Sequence, residues 1–274
     1  MKQSKVGFVA YAVLILAAIV SVFPFVWTFL ASTHTNTQIF QLEYTLKIGN
    51  HMLENLRNLL KVAPYWRNMA NSIFVAGVYT ILVLLFDSMA GYAFAKFRFK
   101  GRDAIFFLCI ASMFIPQQVS MVPLFIQLSA FGLMDTPWAI ILPSLANVFG
   151  VFLMRQSFMG FPDELIEAAR IDGASDFRIF FTIVAPTMKP AFTSLGILSF
   201  VNQWGNFMWP LIAINSKEQY TMPLVLSLMV QPGMIIDYSA VMIGAVISLV
   251  PVLVFFLVFQ KNFIDGILAG AVKG

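Results

Sequence analysis

The residues best suited to chemistry form one short polar segment, Glu167-Ala168-Ala169-Arg170-Ile171-Asp172-Gly173, between long apolar runs. The Glu167 carboxylate can form a charge-assisted hydrogen bond with a cationic side chain. The small side chains of Ala168 and Ala169 let another surface come close. An otherwise apolar chain has little reason to carry such a segment unless something in water contacts it. We therefore predict a docking surface for a soluble protein, although periodicity alone also fits an amphipathic helix at a membrane surface.

The flanking residues indicate how this segment folds. Pro162 suits the first position of a helix, and the acidic residues after it favour the positive end of the helix dipole. Gly173 can adopt the left-handed conformation that ends a helix, and Ser175 can cap a second short helix ending before Pro186. The prediction is helix, turn, helix over residues 162–186. The apolar side chains expected to pack inward are Leu165, Ile166, Ala169 and Ile171.

The composition requires a membrane around these elements. The chain has 274 residues, of which 59% are hydrophobic and 11% charged, against roughly 45–50% and 25% in soluble domains. So much apolar surface cannot be hidden in a core of this size, so an integral membrane protein is predicted. Positive residues beside membrane spans explain the net charge of +4, and no nucleic-acid partner is expected.

Apolar runs near 20 residues predict six transmembrane helices. The third, fourth and fifth are interrupted by proline or amide side chains. We expect a single membrane domain over residues 1–274, with a first transmembrane helix in 1–31 and a core at about 68–262. The predicted spans are 7–31, 72–95, 104–126, 137–158, 188–212 and 239–260.

The distribution of positive charge predicts the orientation of these spans. If the spans alternate, most of the 17 Lys and Arg residues fall on the same side as the N-terminus. Positive residues favour the cytoplasmic side. Both termini and the polar segment at 162–186 are therefore predicted to be cytoplasmic.

The polar segment resembles the signature loop of permease subunits of bacterial binding-protein-dependent ABC importers. That signature is Glu-Ala-Ala, three residues, Gly, nine residues, Ile, one residue and Leu-Pro. Ala185 stands where the family usually has Leu. The matching positions are Glu167, Ala168, Ala169, Gly173, Ile183 and Pro186.

This segment resembles the carbohydrate-uptake branch of the family in its sequence, Glu167-Ala168-Ala169-Arg170-Ile171-Asp172-Gly173-Ala174. Other stretches resemble the second permease of maltose and multiple-sugar systems. The outer loop 32–71 is the least similar part. The stretches that resemble the second permease are Pro24-Phe25-Val26-Trp27, Asn71-Ser72, Ala90-Gly91-Tyr92-Ala93-Phe94-Ala95, Ile115-Pro116 and Gly270-Ala271-Val272-Lys273-Gly274.

The resemblance implies an all-α membrane protein with the type I ABC importer permease fold and cytoplasmic coupling helices, in the bacterial cell (inner or plasma) membrane. Its implied partners are a second, homologous permease subunit in a heterodimer, a dimeric ABC ATPase, an extracytoplasmic sugar-binding protein and the lipid bilayer. The outer loop 213–238, which contains residues 220–226, would face the sugar-binding protein. The residues implied in ATPase coupling are Glu167, Ala168, Ala169, Arg170, Asp172, Gly173, Lys273 and Gly274.

The energy source must lie outside this chain. The sequence has no Gly-x-x-x-x-Gly-Lys-Ser/Thr phosphate loop and no catalytic or metal-ligand constellation. We therefore expect a non-catalytic subunit with no cofactor of its own, and ATP and Mg in the partner ATPase subunits. His34 and His51 have no ligand-spaced companion and are predicted to be solvated surface residues.

Polar side chains inside the spans mark a candidate translocation path, because such groups are costly unless they face protein or water. Those of the fifth span recur along one helical face. Amides bind hydroxyl groups and aromatic rings stack on sugars, but interhelical hydrogen bonding explains the same residues equally well. The charge-poor candidates favour a neutral oligosaccharide. They are Gln117, Gln118, Ser199, Asn202, Gln203, Trp204, Asn206 and Phe207.

Two other transport functions remain as alternatives. One is an ABC permease for a different solute. The other is a proton-coupled secondary carrier, which needs functional carboxylates inside the membrane, and only Asp87 fits that requirement. A structural role for Asp87 is the competing interpretation.

Overall fold

The computed structural model describes residues 2–41, 43, 46–145, 147–231 and 236–271, and the side chains of residues 2–6 and 262–271 are left undescribed. These ranges contain helices and no strand, so the all-helical prediction is confirmed. The α-helices are α1 (Lys2–Ala31), α2 (Met52–Val62), α3 (Tyr65–Lys96), α4 (Arg102–Ser112), α5 (Gln117–Ala130), α6 (Pro137–Ser144), α7 (Val148–Met159), α8 (Asp163–Ile171), α9 (Asp176–Ile179), α10 (Ala185–Thr187), α11 (Lys189–Trp204), α12 (Met208–Ala213), α13 (Met222–Leu228) and α14 (Tyr238–Ala271). A π-helix covers Phe180–Val184, and 3-10 turns cover Gln38–Phe40 and Lys217–Gln219.

The described residues contain three helices long and apolar enough to cross a membrane: Gly7–Ala31, Tyr65–Lys96 and Tyr238–Lys261. Two bent helix pairs raise the number to as many as five. In the first pair, α4 and α5 meet at 97°, and in the second, α6 and α7 meet at 46°. The predicted six spans are therefore not confirmed.

The predicted interruptions have local causes in the sequence. Pro116, which precedes α5, has no N–H group, and it restricts the residue before it to extended conformations. Its own backbone is extended, with ψ at 132°. The chain therefore leaves the helical path between α4 and α5.

The fifth predicted span does not meet the length required of a span. Its helix α11 has 16 residues, which rise about 24 Å at 1.5 Å per residue, against a hydrocarbon core of roughly 30 Å. Residues 205–207 are not helical, and α12 follows them. The sequence predicted one helix over 188–212 because Gly205 and Asn206, where the helix stops, add no charge to this apolar run.

The chain groups into two compact units, residues 1–66 with 224–250, and residues 67–223 with 251–274. In the first unit, the Asn55 amide donates to the carbonyls of Ser32 and His34, both at 2.8 Å. His34 is only 4% exposed, and its Nε2 lies 2.9 Å from the Lys47 carbonyl. The prediction of a solvated His34 was therefore wrong, because Lys47 and Asn55 contact it. His51 remains accessible beside Glu54, at 3.0 Å.

In the second unit, polar side chains fasten the segment at 215–222. Asn68 and Asn71 donate to the backbone carbonyls of residues 217, 218 and 220, and Ser72 Oγ accepts from the Met222 N–H at 2.7 Å. Thr221 and Met222 are buried. These two side chains are therefore not exposed at the surface, and the contact of the outer loop 213–238 with a binding protein stays a prediction.

Asp135 fastens the other end of this segment. Its carboxylate accepts hydrogen bonds from the backbone N–H groups of Asn215 and Ser216, both at 2.9 Å, and from the Ser216 hydroxyl. Burial alone would raise the pKa of Asp135, but these donors favour the charged form and hold that pKa below its ordinary value.

Candidate functional site

The polar segment folds as its sequence predicted at its turn. Gly173 has a φ of 77°, and the Ala174 N–H donates to the Ala169 carbonyl at 3.0 Å, closing the end of α8. Ser175 Oγ then accepts from the Arg178 N–H at 3.4 Å and caps α9. Pro162 precedes α8 instead of occupying its first position, a difference of one residue that is common at helix ends.

The second helix was predicted to end before Pro186, and this prediction was wrong. The chain passes from α9 into the π-helix and then into α10, which includes Pro186 near its start. The Ala185 N–H donates to the Phe180 carbonyl five residues earlier. This wider turn accommodates the proline, which has no N–H to donate to the ordinary partner four residues earlier.

A lysine from α3 fixes the start of α8. Lys96 Nζ donates to the Phe161 carbonyl at 2.6 Å and to Asp163 Oδ1 at 2.5 Å. The Lys96 side chain is 5% exposed and that of Asp163 is 67% exposed. The hydrogen bond and charge of Lys96 hold the pKa of Asp163 below its ordinary value.

Aromatic side chains form the seat beneath this helical segment. The Tyr92 ring lies 5.7 Å from Phe158 and 5.2 Å from Phe180, and the latter two are 6.1 Å apart, between centroids. Ile166 and Ala169 are the residues of α8 that are buried. The Phe180 ring therefore links this segment to Tyr92 of α3 and Phe158 of α7 by side-chain contact.

Gly91 allows α3 and α7 to approach closely next to this seat. A Cβ atom at Gly91 would lie 2.7 Å from Met154 Cβ and 2.8 Å from the Arg155 backbone nitrogen. Distances below 3.0 Å require one of the helices to shift. The Ala90-Gly91-Tyr92 run thus supplies both the close helix contact and one ring of the seat.

The outer face of α8 is free of intramolecular partners at its centre. Glu167 and Ala168 are exposed, and no described residue forms a hydrogen bond or ion pair with Glu167. Ile171 is 87% exposed, Phe177 66% and Leu165 51%. The predicted inward packing of Leu165 and Ile171 was wrong, because both side chains are exposed.

The remaining predicted coupling residues differ in their surroundings. Ala169 is buried, whereas Arg170, Asp172 and Gly173 are exposed. Arg170 donates to Asp176 Oδ1 from Nε at 3.1 Å and from a terminal nitrogen at 2.9 Å, which ties α8 to α9. Lys273 and Gly274 lie outside the described residues.

A separate cavity of about 750 Å³ forms within the second unit where three interrupted helices meet. Its wall includes the junctions α4–α5, α6–α7 and α11–α12. Helix ends leave backbone groups without helical partners, and membrane proteins tolerate such backbone where it lines a cavity. The interruptions therefore build the cavity.

Most of the predicted path residues lie on this wall. It includes Gln117, Gln118, Asn202, Gln203, Asn206 and Phe207. Ser199 lines a smaller adjoining cavity of about 230 Å³. Trp204 lies outside the lining of both cavities, where it is buried and stacks on Phe200 at 5.8 Å.

Sequence reasoning missed several residues that complete the wall. Tyr79 and Asn147 line both cavities, and Trp209 lines the larger one. Trp209 is 1% exposed and donates from Nε1 to the Ala139 carbonyl at 2.7 Å. Trp209 could have been found from the sequence, because it lies in the predicted fifth span with most of the other path residues. Tyr79 and Asn147 lie elsewhere in the chain, with no motif around them.

Asp87 lies away from this wall. It is 3% exposed, its Oδ2 has no hydrogen-bond partner among the described residues, and it does not line either cavity. A Cβ atom at Gly150 would collide with its carboxylate. This carboxylate is thus packed against α7.

Comparisons with known proteins show what this chain is similar to. The family described as "Binding-protein-dependent transport system inner membrane component" matches residues 87–268. Among curated relatives, the arabinooligosaccharides transport system permease protein AraQ of Halalkalibacterium halodurans is 37% identical over 94% of this chain and 93% of its own length. The lactose transport system permease protein LacG of Rhizobium radiobacter is 36% identical over 97% and 96%.

Another relative is the sn-glycerol-3-phosphate transport system permease protein UgpE of Escherichia coli K12, 31% identical over 94% of both chains. Among solved structures, a chain of a bacterial ABC transporter involved in the import of the acidic polysaccharide alginate superposes with a TM-score of 0.84. The superposition covers 96% of this chain and 98% of that chain. Because the sequence identity is 23%, the comparison shows a similar fold only.

Proposed function

The chain belongs to the binding-protein-dependent transport system inner membrane components, and from that premise we propose that it is a permease subunit importing a neutral carbohydrate. It is a non-catalytic, multi-pass transmembrane subunit of an ABC transporter. In our proposal it pairs with a second, homologous permease, and an extracytoplasmic protein delivers the sugar. ATP is hydrolysed by a separate ATPase dimer.

The observation that carries the substrate class is the uncharged wall of the larger cavity. No Asp, Glu, Lys, Arg or His occurs among the described residues that line it. Carboxamides and hydroxyls both donate and accept hydrogen bonds, as sugar hydroxyls require. An anion in this cavity would lose its hydration without gaining a compensating charge. The relatives named for oligosaccharides and lactose agree with this chemistry.

The observation that supports coupling is the free acidic face of α8. Glu167 supplies a carboxylate with no hydrogen-bond or ion-pair partner among the described residues, and Ile171 supplies exposed apolar surface. Exposed apolar surface rimmed by polar groups is typical of a protein interface. We propose that α8 docks on the ATPase, with Ala168, Asp172 and Gly173 permitting close approach. Ala169 and Arg170 would hold the shape of the loop.

The topology belongs to the same proposal. Six spans, with both termini cytoplasmic, require α11 and α12 to cross the membrane together as one interrupted span. This arrangement puts the three helix interruptions within the membrane around one cavity. It also puts α8 in the cytoplasm, where an ATPase can reach it. Lys273 and Gly274 are proposed to join that contact.

Import of a different solute is the second candidate, since one relative is named for glycerol 3-phosphate. A phosphate site ordinarily uses Arg, Lys or helix N-termini, and no cationic side chain lines the described wall. A proton-coupled carrier is less well supported, because Asp87 lines neither cavity.

Uptake by proteoliposomes holding this chain, its partner permease and its ATPase tests the proposal. The assay would use the cognate binding protein with lactose, arabinotriose, galacturonate-containing disaccharide and glycerol 3-phosphate. We expect ATP-dependent uptake of a neutral sugar and none of the anions. Uptake of an anion with no neutral sugar accumulated would contradict the proposal.

A further inference from the structure

Two buried hydrogen-bond donors on α11 have no partner in the part of the chain that the structure describes. Gln203 is 5% exposed and Ser199 is 3% exposed. Neither Gln203 Nε2 nor Ser199 Oγ has a hydrogen-bond partner among the described residues. Such groups are costly to bury unless something satisfies them, so each calls for a ligand or water.

Both residues line adjoining polar cavities. Gln203 lines the larger cavity and Ser199 the smaller one, and the two positions are one helical turn apart. The cavities share Tyr79, Asn147, Phe149 and Asn202 in their walls. The larger lobe, of about 750 Å³, falls within the roughly 300–1,000 Å³ typical of small-molecule sites.

The surroundings of the two donors define the ligand chemistry. Asn202, which lies between them and lines both lobes, can donate and accept. Phe149 and Tyr79 add aromatic surface in both lobes. A ring carrying neighbouring hydroxyls and an apolar face satisfies all of these groups without any charge.

We propose that this chain contains a sugar-binding subsite of its own, in which Gln203 Nε2 and Ser199 Oγ donate to hydroxyl oxygens of one glycosyl unit. The inference rests on the proposed function and extends it by assigning a binding role to this subunit. Asn202 completes the polar side of the subsite. The subsite holds the sugar while it passes the helix interruptions.

The test compares Gln203→Met with wild type in reconstituted complexes, using the neutral sugar among lactose and arabinotriose that wild type imports. Met keeps the length of the side chain and removes the donor. We expect the KM for import to rise about tenfold. Equilibrium dialysis of the same radiolabelled sugar against the complex in nanodiscs should show a matching loss of affinity.

Gln127→Ala is the matched control, because Gln127 is an exposed amide that lines neither cavity, and its KM should equal that of wild type. If Gln203→Met fails to assemble, Ser199→Ala replaces it, with a KM rise of several-fold expected. An unchanged KM and unchanged dialysis affinity would overturn the subsite, as would a lower maximal rate alone. Failure of wild type to import either sugar would instead contradict the proposed function.

Discussion

At the scale of single residues, Lys96 and Asp163 are unequal partners. The Lys96 side chain is almost fully buried and that of Asp163 is mostly exposed. Removing the carboxylate leaves a buried ammonium with the Phe161 carbonyl but no counter-charge, whereas removing the lysine lets the carboxylate return to water. A buried charge without its partner is the more costly of the two.

We therefore predict that Asp163→Ala lowers the free energy of unfolding by about 1–3 kcal/mol, and that Lys96→Met lowers it by less. Thermal unfolding of the purified chain in detergent measures both variants. A larger loss in Lys96→Met than in Asp163→Ala would contradict this account of the pair.

The same pair predicts a pH dependence. Because Lys96 holds the pKa of Asp163 below its ordinary value, the stability contributed by the pair is fully present above the unfolded-state pKa of about 4. It is lost as the pH falls through the lowered folded-state pKa. The stability difference between wild type and Asp163→Asn should therefore narrow below about pH 4. A difference that widens on acidification would contradict the assignment.

At the scale of helices and turns, local signals were the reliable part of the sequence. Gly173 and Ser175 were placed correctly because a left-handed turn and a helix cap depend on a few neighbouring residues. Ile171 was misplaced because it lies about 140° around the helix from the buried Ile166. A helical projection of α8 shows this separation of Ile171 from Ile166 from the sequence alone.

Gly91 and Gly77 provide a matched pair within α3. An alanine at Gly91 must push against Met154 and the Arg155 backbone, whereas nothing lies within 4 Å of a Cβ at Gly77. We predict that Gly91→Ala lowers the free energy of unfolding by about 1–3 kcal/mol, and that Gly77→Ala raises it slightly, by up to about 1 kcal/mol. Thermal unfolding in detergent separates them, and equal effects would contradict the close contact of α3 with α7.

At the scale of the whole molecule, the sequence predicted an all-helical membrane protein and the polar composition of the cavity. It did not reveal how three interruptions combine into one wall. Tyr79 and Asn147 join that wall only through tertiary packing, and Trp204 leaves it because its ring stacks on Phe200. The burial of His34 likewise depends on contacts with Lys47 and Asn55, which no local pattern encodes.

The two functional regions share helices α3 and α7. The seat under α8 includes Tyr92 of α3 and Phe158 of α7, and both of these helices also line the larger cavity. Docking on α8 can therefore act on the cavity through helices that reach both. The account thus depends on α8 receiving force from an ATPase.

The most direct measurement is ATP-driven sugar uptake by proteoliposomes containing the complete complex with Glu167→Lys. The account predicts uptake at background and loss of ATPase co-purification with the tagged permease, because the reversed charge repels the cationic partner. Glu218→Lys, a charge reversal on an exposed residue outside α8, should keep full ATPase co-purification. Wild-type uptake and ATPase association in Glu167→Lys would contradict the central claim.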